Sequence, residues 1–163
     1  MKKINFLKKL KKEKKIELVE PSEEIKLSYI KKSDDCLKSS RILYENELYE
    51  NSTSDAYYCM YNILLSLLFK VGIKSENHSA SIILFDKLFN KEDLVDLISY
   101  AKEERIDKQY YVKAEQVSKA TKDSCKDMIS KAEDFSLKLK VVLSEINKDK
   151  LDSIRISFED LFK

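Results

Sequence analysis

The chain predicts an all-α fold, an up-and-down bundle of four to five helices with a long carboxy-terminal helix and a basic amino-terminal arm. Three observations carry that prediction. First, a single glycine and a single proline among 163 residues remove most means of making tight turns, which argues against a hairpin-rich sheet or a glycine-cradled phosphate loop. Second, Leu, Lys, Glu, Ile and Ser dominate, and none of them opposes a helix strongly. Third, apolar residues recur at alternating steps of three and four over long stretches. The length suits one compact domain, burying roughly 70% of its unfolded surface, rather than two.

Residues 1–22 read as a separate segment, the basic arm. Ile4, Leu7 and Leu10 share one face with Phe6 beside them, and lysines fill the rest, so the arm is an amphipathic helix at best before Pro21 and Ser22 punctuate the chain. Its two readings are a solvated, frayed terminus and an interaction arm. A bundle is expected over residues 23–147. Ser22 can cap a first long helix whose stripe is Ile30, Leu37 and Tyr44, flanked by Tyr29, Cys36 and Leu43. Residues 46–54 are polar and turn-like, with Ser52, Thr53 or Ser54 available to cap the next helix.

That second helix, about residues 54–71, is apolar around nearly its whole circumference, so it is either central in the bundle or half-covered by a second copy. Gly72 suits a left-handed cap at its end. A short helix follows with Ile82, Ile83, Phe85, Leu88 and Phe89, then one over about 91–105 with Leu94, Leu97, Ile98 and Ala101 inward. The longest helix is expected to start at Lys113, with Ala114, Val117, Thr121, Cys125, Met128, Ala132, Phe135, Leu139, Val142 and Ile146 on one stripe. Residues 148–163, with Leu151, Ile154, Phe158 and Leu161, are a tail or a further short helix folding back on the bundle.

Charge is unevenly placed. The first fifteen residues carry eight lysines and one glutamate, +7 in a chain whose formal net charge is +2, which leaves −5 on the remainder. Lys2, Lys3, Lys8, Lys9, Lys11 and Lys12 thus form an end suited to an anionic surface. Cys36, Cys59 and Cys125 are odd in number and form no CxxC pair, so no disulfide framework or zinc site is indicated. The longest apolar run, residues 56–69, falls short of the ~20 needed to span a bilayer, and no secretory signal is read. The expected compartment is the cytoplasm.

Candidate chemistry narrows to a few side chains. His78 is the sole histidine, which excludes a histidine pair or a two-histidine metal site within one chain. It stands just before a helix, as a polar link residue or as a neighbour of the helix's first amides. Only three arginines, Arg41, Arg105 and Arg155, accompany 28 lysines. Arg105 follows two glutamates, so it either forms an ion pair on its own helix or turns to a cleft, with Tyr110 and Tyr111 nearby, to receive a phosphate. Tyr57, Tyr58 and Tyr61 are either core residues with hydroxyls reaching a surface partner or a stacking platform for a base. No catalytic residue, metal ligand or cofactor site is singled out.

In order, KKSDDCLKSSRILYENELYE, DAYYCMYNILLSLLFKVG, KSENHSASIILFDKLF and ERIDKQYYV resemble the HEPN superfamily, specifically its stand-alone prokaryotic branch often encoded beside a minimal nucleotidyltransferase. The likeness covers about residues 25–143. It implies a helical bundle, often a homodimer, associated with RNA, nucleotides or a nucleotidyltransferase partner in toxin–antitoxin or defence loci. Ribonuclease members carry a histidine four to six residues after an arginine. Here that window after Arg105 holds Asp107, Lys108, Gln109, Tyr110 and Tyr111, without histidine. The resemblance therefore implies a non-catalytic module binding nucleotide, RNA or a nucleotidyltransferase partner through Arg105, Tyr110, His78, Tyr57 and Tyr58. Two alternatives stand beside it: a metal-independent endoribonuclease toxin using Arg105 with Tyr110 or His78, and an antitoxin or scaffold docking through its basic arm.

Overall fold

The computed structural model describes residues 2–110 and 120–163, and side chains within 2–105 and 120–163. Among the described residues there are seven helices and one small ribbon: α1 (Lys2–Lys12), β1 (Ile16–Leu18), α2 (Glu23–Glu45), α3 (Tyr49–Lys70), β2 (Ile73–Ser75), α4 (His78–Phe89), α5 (Glu92–Tyr110), α6 (Lys122–Ser144) and α7 (Lys148–Asp160). The fold is an all-α bundle. α3 is its central rod, packed against α2, α4, α5 and α6. Tyr57, Met60, Ile63, Leu64, Leu67 and Leu68 on α3 are fully buried, which explains why that helix is apolar all round. A single protomer thus covers most of it.

α2 and α3 form a hairpin held by hydroxyls. Ser40 Oγ donates to the Ser52 carbonyl at 2.8 Å, and Ser52 Oγ donates back to the Ser40 carbonyl at 2.7 Å. Ser33 Oγ donates to the Cys59 carbonyl at 2.8 Å, and Cys125 Sγ on α6 donates to Ser52 Oγ at 3.0 Å. Small side chains let the backbones approach, and the hydroxyls of Ser33, Ser40 and Ser52 find their partners on the facing helix. This corrects the expectation of a turn over residues 46–54. α3 begins at Tyr49 with Leu48 as a cap that makes no side-chain bond, and the turn is at Glu47, whose φ is +61°. Ser52, Thr53 and Ser54 are buried helix-interior residues. Ser22 does cap α2, accepting from the Ile25 amide at 3.2 Å.

The basic segment is not a frayed terminus. Leu7 and Leu10 are buried in the main core, and β1 pairs antiparallel with β2 in the register Ile16–Ser75, Glu17–Lys74, Leu18–Ile73. α7 supports it from the other end of the chain, with Lys11 Nζ 4.2 Å from the Phe162 ring centroid. Arg155 on α7 donates through Nη1 to the carbonyls of Val19 at 2.9 Å, Val71 at 3.1 Å and Gly72 at 3.2 Å. Gly72 ends α3 in the left-handed region (φ +71°), and a Cβ there would stand 2.1 Å from Arg155 Nη1 and 2.4 Å from the Val19 oxygen. Only glycine satisfies both the backbone angle and the closeness.

α6 opens on a capping box between Thr121 and Ser124. The expected start at Lys113, with Ala114 and Val117, lies outside the described residues. Of the rest of that stripe, Cys125, Met128, Ala132, Phe135, Leu139 and Val142 are buried as its period requires, but the expected unbroken helix through Thr121 to Ile146 is corrected at both ends: Thr121 is the exposed, extended cap, and Ile146 lies half-buried past the last turn. α7 folds back on the bundle and places Phe158 in the core. No described helix is long and apolar enough to cross a membrane.

Candidate functional site

Three helices converge on one aromatic and cationic cluster. α3 supplies Tyr57, Tyr58 and Tyr61, whose spacing places them along one side of the rod. α4 supplies His78 as its first residue, held there by the cap in which Asn77 Oδ1 accepts from the Ala80 amide at 3.0 Å. α5 supplies Lys102 and Arg105, one turn apart. Tyr57 Oη and His78 Nδ1 are 2.6 Å apart. The His78 ring stacks on Tyr61 with centroids 3.8 Å apart and planes 12° apart. Arg105 Nη1 donates to Tyr58 Oη at 2.9 Å, and its Cζ lies 5.2 Å from the centroids of both Tyr57 and Tyr58. Lys102 Nζ donates to Ser79 Oγ at 2.6 Å.

The electrostatics follow from that packing. Burial first, then the positive charges of Arg105 and Lys102, push the His78 imidazole down to about 4 from an ordinary 6.5, so it is neutral at pH 7. Burial, with Tyr61 adding to it, drives the Tyr57 phenol upward, so it keeps its proton. With both groups neutral, a single proton is shared between Tyr57 Oη and His78 Nδ1, and either atom can be its donor. The result is a half-buried site whose field is positive, flanked by two cations and by the amino end of α4. A groove of about 210 Å³ adjoins it, bordered by Ser79 and Lys102 and reaching Lys3 of α1.

The sequence candidates fall out unevenly. Arg105, His78, Tyr57 and Tyr58 are brought together, although His78 and Arg105 are 27 positions apart in the chain. Tyr57 is completely buried, so its ring cannot stack on a base; it is a core residue whose hydroxyl orients His78. The side chain of Tyr110 lies outside the described residues. Lys2, Lys3, Lys8, Lys9, Lys11 and Lys12 are all on α1. Lys102 and Ser79 escaped the sequence reading. The signal available for Lys102 was its position one helical turn before Arg105.

The other two arginines are engaged elsewhere: Arg155 with backbone carbonyls, and Arg41 with Glu133 on α6 at 2.9 Å. The three cysteines are free thiols, and burial raises that of Cys36 and pushes Cys59 up to about 11. Among the described residues no group of three or more His, Cys, Asp and Glu side chains is placed to hold a metal ion.

The bundle and its cluster can be set beside known proteins. The family model for the HEPN domain matches residues 27–142, from the second turn of α2 to the last turn of α6. The chain belongs to the HEPN domain family. A protein of Methanocaldococcus jannaschii described as a "Putative toxin" is similar to it, 30% identical over 117 residues that cover 70% of this chain and 85% of that protein. The HEPN match takes in α2 to α6 with the whole aromatic and cationic cluster. It leaves out α1, β1 and α7, the three elements that tie the two ends of the chain together.

Proposed function

We propose that this HEPN domain is a toxin-type module that binds a phosphate group of RNA or of a nucleotide at Arg105 and does not itself cleave the strand. Arg105 supplies a forked donor, Lys102 a second cation, Tyr58 a half-buried hydroxyl and His78 a neutral imidazole, beside a groove. The observation that carries the non-catalytic half is the Tyr57–His78 hydrogen bond at 2.6 Å. A general acid at pH 7 needs an imidazolium, and an efficient general base needs a ring that takes up a proton near neutrality. A ring whose Nδ1 is engaged by Tyr57 and that protonates only near 4 offers neither. A homodimer and a neighbouring minimal nucleotidyltransferase as partner belong to the same reading through the family likeness, as do a cytoplasmic setting and the absence of any cofactor.

One observation favours the endoribonuclease alternative: His78 reaches the surroundings of Arg105 from another helix and so stands in space near where the sequence window has no histidine. A single experiment separates the readings. Structured RNA is incubated with the wild type, Arg105→Met and His78→Gln, while binding of the RNA and of uridine monophosphate is followed by titration. The expected outcome is intact RNA throughout and binding weakened at least tenfold in Arg105→Met. Cleavage by the wild type that disappears in both variants replaces the binding reading with the nuclease one.

A further inference from the structure

α1 lies outside the stretch that defines the family, and its charge has no part in the cluster described above. The helix is rigidly seated: Leu7 and Leu10 are buried, Lys11 sits over Phe162, and the chain continues into the β1–β2 ribbon. Seating the apolar face turns the opposite face outward, where Asn5, Lys8, Lys9 and Lys12 border a shallow concavity. Among the described residues no carboxylate pairs with Lys3, Lys8 or Lys12, while Glu13 is held by Lys15 at 2.9 Å and by Lys9 at 3.9 Å. At its amino end the helix brings Lys3 to the groove that Lys102 and Ser79 border. That groove begins one residue from His78.

We propose that α1 is an RNA-backbone track continuous with the Arg105 cluster, so that a single strand anchored by one phosphate there lays its next phosphates past Lys102 and Lys3 onto Lys8, Lys9 and Lys12. This rests on the reading of the cluster as a phosphate site. The choice of RNA over a lipid surface follows from burial: an interfacial helix inserts its apolar face, and here Leu7 and Leu10 are already in the core. Cations in two successive hollows along one helix, Lys3 in the first and Lys8, Lys9 and Lys12 in the second, favour a polyanion with repeating phosphates over an isolated acidic patch on a protein. Two carboxylates border the groove; Asp86 is paired with Lys87 at 3.1 Å, which leaves Glu103 as the acidic member the strand passes. From Lys3 to Lys12 the helix spans ~14 Å, room for a few phosphates beyond the anchor.

The test uses the full chain and its Lys8→Gln/Lys9→Gln/Lys12→Gln variant, with two probes: a labelled twelve-residue oligouridylate and uridine monophosphate. The three lysines flank the exposed face, so the variant keeps the wild-type Tm. Each phosphate contact on a single strand contributes about 0.7 to the salt slope, so the variant's slope falls by about 2. Between 50 and 200 mM salt the wild type then loses about 16-fold more affinity for the oligomer than the variant does, and at 50 mM the variant binds it at least tenfold more weakly. Uridine monophosphate binding is unchanged. An oligomer affinity and slope equal to the wild type's overturn the track, as does an equal loss for both probes, which makes α1 merely a support. Failure of the wild type to bind either probe overturns the anchor reading itself, and oligomer binding lost in Arg105→Met but not in the triple variant keeps the anchor and rejects the track. Binding to phosphatidylserine vesicles that the triple variant abolishes, with oligomer binding untouched, assigns the lysines to a membrane instead.

Discussion

Arg155 and Arg105 are both half-buried guanidiniums reaching across a helix contact, but they are received by different chemistry. Arg155 meets the carbonyls of Val19, Val71 and Gly72, which are fixed partial negative charges belonging to the backbone. The three oxygens converge on its Nη1, so the group is a rivet between α7, the end of α3 and the strand region of β1. Arg105 lies over the rings of Tyr57 and Tyr58 and donates to a phenol. Aromatic faces attract a cation through their quadrupole, and the charge of Arg105 adds to burial in depressing the His78 imidazole. A guanidinium bound to carbonyls stabilises the fold. One held over tyrosines at the edge of a groove is, on the reading proposed above, the group that meets the phosphate.

The contrast can be broken from the Arg155 side first. Gly72→Ala combines about 1 kcal/mol for the left-handed backbone with eviction of Arg155 from its carbonyls, about 2–3 kcal/mol, because the new Cβ needs the space of Nη1. The expected loss is about 3–4 kcal/mol in urea unfolding; an unaltered midpoint there removes the rivet from the account. Next, Arg155→Met lowers stability by about 2–3 kcal/mol without touching phosphate binding. Arg105→Met costs only about 1 kcal/mol yet loses binding at least tenfold. Equal stability losses in the two methionine variants, or binding defects in both, erase the distinction.

Smaller effects sharpen it. His78 has a folded pKa of about 4 and an unfolded value near 6.5, so between those pH values the unfolded chain takes up a proton that the folded one refuses. Its contribution is intact above pH 6.5 and declines as pH falls toward 4. Discounted for half exposure to about 1 kcal/mol, this appears as a Tm drop across that window roughly 2–4 °C larger in the wild type than in His78→Gln. Parallel pH profiles for the two proteins count against an imidazole kept neutral by burial and by its two cationic neighbours. Least of all, Tyr58→Phe keeps the ring under Arg105 and removes only the hydroxyl bond; stability changes by less than about 0.5 kcal/mol and phosphate affinity falls by roughly threefold, read in the same titration.

Periodicity was readable in the chain, and it placed the bundle. The stripe of α6, the all-round apolar α3 and the left-handed Gly72 follow directly from residue type and spacing. What periodicity could not express is a polar group satisfied by a distant partner. Ser52 looks like a cap until Ser40 faces it across a hairpin, and the β1–β2 ribbon joins segments 57 positions apart with only three residues each. The arm misled for the same reason: its many lysines suggest solvent, but Leu7 and Leu10 suffice to seat it once α7 and β2 are present. At the cluster, Arg105 and His78 were readable as chemical rarities. Their meeting through Tyr57 was not, because that contact belongs to the packing of α3, α4 and α5.

The Arg155–Val19 bond joins positions 136 apart, whereas α2 and α3 fold onto each other across a link of three residues. Loop-closure entropy orders these events. The hairpin collapses early from local contacts, and the rivet closes only after α7 has been made. Until then the β1 end of α1 is a tethered cationic strip without its clasp, so this part of the fold is sealed by a segment synthesised well over a hundred residues after it.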